Sequence, residues 1–110
     1  MPGFAVNDMD LAVAFYTERL GFRVSFRNEK VYTIVRRDDV EIALALNRSK
    51  KSAGHGSCYV KMEGIDLVYD ELSSNGVVMT HDLKDESYKM REFMVTDPDG
   101  NTVNFGEPIS

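Results

Sequence analysis

TDPDGNTVNFGE, Thr96–Glu107, is the stretch from which the fold can be read. Asp97-Pro98-Asp99-Gly100 makes a tight turn, because proline pre-sets φ at the second position, aspartate tolerates the third and glycine supplies a left-handed exit. Beyond it the chain alternates: Val103 and Phe105 point one way, Thr102, Asn104 and Gly106 the other. Period two means a strand with one apolar face. The second face is small and polar, so Asn104 is either washed by water or set in the wall of a pocket.

Working backwards, MREFMV within Tyr88–Thr96 reads as the strand before that turn, KDES (84–87) as a turn, VVMTHDL (77–83) as a strand, GIDLVYDELSSNG (64–76) as a helix and SCYVKM (57–62) as a strand. The first half repeats this order. A short strand with Phe4 and Val6 on one face precedes a helix that Asp8 can cap, with Leu11, Ala14, Phe15 and Leu20 as its apolar stripe and Gly21 as its stop. FRVSF (22–26), VYTIV (31–35) and VEIALAL (40–46) follow as strands. The expected class is α+β: a single domain, 1–110, built from two βαβββ modules (1–47 and 57–108) joined by the polar linker 48–56.

Each predicted strand has one strongly apolar face, formed by Val40, Ile42, Leu44 and Leu46, by Cys58, Val60 and Met62, and by Val103 and Phe105. These faces should meet the helices. The opposite faces carry Glu41, Ala43 and Ala45; Ser57, Tyr59 and Lys61; Thr102, Asn104 and Gly106. Small residues leave room and tyrosine offers a flat ring with a polar tip, which is the composition of a ligand cleft; an ordinary solvated face is the competing reading.

A net charge of −5, spread along 110 residues, argues against nucleic acid, which calls for clustered Lys and Arg. One cysteine, Cys58, excludes an internal disulfide and points to a reducing compartment. No apolar run is long enough to span a membrane, and the first residues do not form a secretory signal. The expectation is a cytoplasmic protein with no nucleic-acid or membrane partner. Cys58 falls on a core face and reads as a small hydrophobe, and no Ser/His/Asp or Cys/His grouping stands out, so no catalytic residues are assigned.

The twofold βαβββ order, with AFYTERLGFRV (14–24) in the first helix and DPDGNTVNFGE at the end, resembles the vicinal oxygen chelate superfamily, which includes glyoxalase I, extradiol dioxygenases and bleomycin resistance proteins. Arg37-Asp38-Asp39-Val40 and Arg91-Glu92-Phe93 bring the chain nearest to the bleomycin resistance proteins. That resemblance implies cupped mixed sheets with helices on the convex side. It further implies a homodimer that sequesters a small molecule, a planar or cationic antibiotic, in clefts between subunits. Phe26 and Tyr32 match aromatic cleft positions, with Tyr59 and Tyr88 as further candidates beside Ala43, Ser57 and Asn104; Phe26 could instead belong to the core.

The superfamily's enzymes hold a divalent metal at positions matching Met1, Ala43, Ser57 and Asn104. None of these is a carboxylate or imidazole, so neither metal nor other cofactor is expected. A shifted site through Glu41 and His55 would be needed for the alternative, a metal-dependent glyoxalase, dioxygenase or thiol-transferase. Departures from the bleomycin binders are the lack of tryptophan, Lys61 and Lys89 at or near cleft positions, and shorter loops.

Overall fold

The computed structural model describes residues 1–47 and 56–109. Its elements are β1 (Gly3–Val6), α1 (Met9–Ala14) running into a π-helical turn (Phe15–Arg19), β2 (Arg23–Asn28), β3 (Tyr32–Arg37), β4 (Val40–Leu46), β5 (Ser57–Lys61), α2 (Ile65–Ser74), β6 (Met79–Asp85), β7 (Met90–Thr96) and β8 (Thr102–Pro108). Each half forms its own four-stranded mixed sheet, in the orders β1-β4-β3-β2 and β5-β8-β7-β6. In both, the first strand lies parallel to the fourth and the other pairs are antiparallel. Residues 48–55 of the expected linker fall outside the described residues.

Asp8 caps α1 as expected, its carboxylate accepting from the Leu11 amide at 3.1 Å. The buried stripe differs from the sequence expectation. Met9, Ala12, Tyr16 and Leu20 face the core, whereas Leu11 is 60% exposed and Ala14 and Phe15 are half-buried. Tyr16 decides this rotation, because its hydroxyl has a partner only on the inner side. It donates to the buried Asp97 carboxylate at 2.9 Å. The π turn then advances the helix end so that Leu20 also points inward.

The inner faces of both sheets contribute to one core: Phe4, Val35, Ile42 and Leu44 from the first, Val60, Phe93, Val95, Val103 and Phe105 from the second. Fully burying a side chain of this size is worth about 1.5–3 kcal/mol. α1 lies on β3 and β4, and α2 on β7 and β8. The halves are also tied across their helix ends. Arg37 forks onto Glu71 at 2.7 and 2.8 Å, and Arg19 donates to the Asn75 carbonyl while the Asn75 amide returns a bond to the Arg19 carbonyl at 3.0 Å. Gly21 and Gly76, both at positive φ, let those two arginine heads pass where a Cβ would collide.

The turn at Asp97–Asn101 forms as its sequence demands. Asp97 Oδ1 accepts the amides of Asp99 and Asn101, and Oδ2 accepts Tyr16 and the Asn101 side chain. Asn101 in turn donates to the Ala5 carbonyl at 3.0 Å and accepts from the Gly56 amide at 3.0 Å.

Two buried hydroxyls therefore stand in contrast. Tyr16 is satisfied by a carboxylate, while Thr33 Oγ1, fully buried opposite Leu44, has no hydrogen-bond partner among the described residues. Deleting each hydroxyl should move stability in opposite directions. Tyr16→Phe is expected to lower it by about 1.5–3 kcal/mol, and the near-isosteric Thr33→Val to raise it by about 1 kcal/mol. Urea unfolding midpoints of the two variants check both signs.

Candidate functional site

Because the inner faces share one core, the opposite faces of the two sheets point outward. On the first sheet, pairing places Gly3, Ala43, Ile34 and Phe26 in one cross-strand row and Ala5, Ala45 and Tyr32 in the next. The result is a floor of small residues on β1 and β4 bordered by aromatics on β2 and β3. The Phe26 and Tyr32 rings meet edge-on, 6.3 Å between centroids at 62°, in the range of favourable aromatic pairs.

Phe26 reaches this face through a β-bulge. The sequence pattern puts Phe22, Val24 and Phe26 on a single apolar face, but Val24 pairs with Val35 and Phe26 with Ile34, leaving one extra residue between them. Side chains that would share a face are thereby split. Phe22 is buried, Val24 lies on the inner side at the sheet edge, and Phe26 stands outside at 53% exposure. Ala43 lies on the outer face but is only 8% exposed, with Gly3 of β1 beside it and Pro2 accepting its amide at 2.9 Å. It shapes the floor and offers little contact area of its own.

On the second sheet the outer rows are Ser57–Thr102–Thr96, Tyr59–Asn104–Met94 and Lys61–Gly106–Glu92. Asn104 thus faces a hollow of about 220 Å³, lined also by His81, Tyr88, Glu92 and Met94. Ser57 is exposed at the sheet's end, two residues from the Tyr59 row. Tyr88 belongs to the turn between β6 and β7 rather than to a strand, since β6 continues through Lys84 and Asp85. From that turn its hydroxyl donates to Glu92 Oε1, while Tyr59 donates to Glu92 Oε2 at 2.7 Å. The carboxylate beside each phenol pushes its pKa up, to about 12 for Tyr88; for Tyr59, burial adds the larger share.

Sequence reasoning missed Glu92 as a site residue. Its alternation with Phe93 put it on an outer face, but only the register of β5, β8 and β7 shows that Tyr59 can reach it. Gly106 makes that reach possible, since a Cβ there would lie 1.8 Å from the Tyr59 hydroxyl.

The seven candidate residues therefore fall on two separate outer faces: Phe26, Tyr32 and Ala43 on one, Ser57, Tyr59, Tyr88 and Asn104 on the other. The residues present do not fit a divalent ion. Ala43 supplies no lone pair, Ser57 and Asn104 supply only neutral oxygens, and among the described residues no three His, Cys, Asp or Glu side chains are placed to hold a metal ion. Glu41 lies on the outer face of β4, opposite Arg36; His55 lies outside the described residues.

The sequence profile of the Glyoxalase/Bleomycin resistance protein/Dioxygenase superfamily matches residues 2–105. Bleomycin resistance proteins of Geobacillus stearothermophilus and Staphylococcus aureus are 29% identical over 127 aligned positions, covering 99% of this chain and 96% of theirs. The alignment is longer than the chain, so those relatives carry residues that this one lacks. Among solved structures, the bleomycin-binding protein of Streptomyces verticillus in complex with copper(II)-bleomycin superposes with a TM-score of 0.81 at 26% identity, over 94% of this chain and 90% of that one. The bleomycin resistance determinant encoded on the transposon Tn5 shares the fold at a TM-score of 0.83 and 24% identity, over 97% and 94% of the two chains.

Cys58 packs against the core beneath the Tyr59 row, and burial pushes its thiol up to about 11. The thiolate is the reactive form, so it is scarce at neutral pH. The native protein is expected to react slowly with a disulfide reagent at pH 7, faster as pH rises toward 11, and at the rate of a free thiol once unfolded; a colorimetric thiol titration with and without denaturant measures this.

Proposed function

The chain belongs to the glyoxalase/bleomycin resistance protein/dioxygenase superfamily, and from that premise we propose that it binds a planar antibiotic of the bleomycin kind without altering it. The ligand is held between two copies of the chain. The observation that carries this reading is the placement of exposed aromatic rings on both outer faces, Phe26 on one sheet, Tyr59 and Tyr88 on the other. Water-facing rings beside small residues cost solvation unless something flat covers them.

The two faces belong to different sheets that turn their backs on a common core, so one chain does not close a cleft from both. A twofold dimer does so twice, laying the first sheet's outer face of one copy over the second sheet's outer face of the other. Relatives named for bleomycin resistance, and a related structure holding copper(II)-bleomycin, support the ligand class. The lone cysteine supports the cytoplasm as the setting, and among the described residues no helix is long and apolar enough to cross a membrane.

Isothermal titration with bleomycin, together with sedimentation and metal analysis of the same sample, tests the proposal. The expected result is a metal-free dimer that takes up one drug per chain, with Phe26→Ala weakening binding by about three- to tenfold, the worth of one aromatic contact. A monomer that gives no heat with bleomycin would remove the reading, and stoichiometric tightly bound metal would favour an enzyme instead.

A further inference from the structure

We propose that Arg23 and Arg36, together with Arg37, form a binding site for a phosphate group at the end of the first sheet. The site is independent of the antibiotic reading. It lies in a hollow between the ends of β2 and β3 and the second helix, and shares no residue with the Phe26–Tyr32 pair or with the hollow beside Asn104.

Three observations converge. First, Arg23 and Arg36 are directly opposite each other in the β2–β3 register, on one face of the sheet. Like charges so placed weaken the pairing. Nothing in the chain relieves them. Glu41 faces Arg36 from β4 and Asp38 follows in the turn, yet among the described residues neither arginine forms an ion pair. Second, the pair opens onto a hollow of about 490 Å³, lined otherwise by Gly21, Arg37, Asp38 and Glu71. Third, the donors are held in place. Arg37 forks onto both Glu71 oxygens and donates to the Leu20 carbonyl at 2.8 Å, which takes up the Glu71 charge and leaves none of it for Arg23 or Arg36. Arg36 Nε donates to the Asp38 carbonyl at 2.9 Å, in a turn where Asp38 adopts φ 53°. That bond fixes the guanidinium and leaves its two η nitrogens without a partner among the described residues, and the Arg23 guanidinium likewise has none there.

The charge and donor count select the ligand class. One carboxylate cancels only one of the two opposed charges, and its two oxygens cannot use two guanidinium forks. A phosphate group carries about −1.5 to −2 near neutral pH and offers three strong acceptor oxygens. It turns the repulsion between Arg23 and Arg36 into a bridge of charge-assisted hydrogen bonds, for which the planar arginine fork is suited. The chain as a whole carries −5, which disfavours a polyanion. The group is therefore free phosphate or the phosphomonoester of a small molecule.

The test is calorimetric titration in a chloride buffer of constant ionic strength, with inorganic phosphate, glycerol 3-phosphate and acetate as probes. Both phosphates should bind at one per chain, and acetate at least roughly tenfold more weakly. Tighter binding of glycerol 3-phosphate assigns the site to a monoester, and equal binding to free phosphate. Arg23→Gln and Arg36→Gln should each weaken phosphate by roughly tenfold, while Lys84→Gln, on the second sheet, should match the wild type. Thermal unfolding supplies a second readout and shows that each variant folds. Without phosphate, Arg23→Gln should melt about 1–4 °C above the wild type, because the repulsion across β2 and β3 is gone. Millimolar phosphate should then raise the wild type and leave Arg23→Gln nearly unmoved, a difference that the general stabilising effect of phosphate on proteins does not produce. No heat with either phosphate, acetate binding as tight as phosphate, or equal phosphate binding by the wild type and both arginine variants would each overturn the site.

Discussion

The structure depends on one buried carboxylate. Asp97 organises the turn before β8 by accepting two backbone amides, and with its other oxygen it takes the Tyr16 hydroxyl and the Asn101 side chain. Burying such a charge is costly unless its lone pairs are filled, and here they are filled from both halves of the chain. The same residue that organises the turn between β7 and β8 thereby fixes the angle of the first helix. Asn101 extends the link to the carbonyl of β1 and to the amide just before β5. Aspartate at 97 is thus required twice, once by local turn chemistry and once by the join between halves.

That join sets which faces stay exposed. Fixing α1 against the second sheet's turn, with arginines crossing both helix ends, merges the inner faces into a single core and commits the outer faces to solvent. A fold of this size has little interior left for a cavity. The outer sheet faces stay exposed, and the hollow beside Asn104 lies on one of them.

Much of this was legible in the sequence, and the exceptions have physical causes. Period two in Thr102–Phe105 placed Asn104 correctly, and the order of elements, the helix-ending glycines and the Asp8 cap all followed from local rules. Phe26 was ambiguous because a bulge of one residue reverses a strand's faces and leaves no clear mark in composition. The first helix was read with its stripe rotated, since Leu11 is more apolar than Tyr16. The tyrosine is buried only because a carboxylate 81 residues away receives its hydroxyl. Tyr88 was taken as a strand residue because the turn begins two positions later than its polarity implies. Glu92 and Gly106 were invisible as a pair, for their meaning lies in the pairing of three strands distant in the chain.

What the outer faces have at their centre and at their margin bears on whether they hold or react. A divalent ion needs charged donors converging on one point. Here the central positions are Ala43 and Asn104, small and neutral, with Gly3, Ala45 and Met94 around them. The carboxylates of the second face, Asp82, Glu86 and Glu92, line its hollow together with Asn104, and two of them are restrained by tyrosine hydroxyls. Among the described residues no three His, Cys, Asp or Glu side chains are placed to hold a metal ion, and the Asp82 and Glu92 carboxylates are instead taken up by tyrosine hydroxyls.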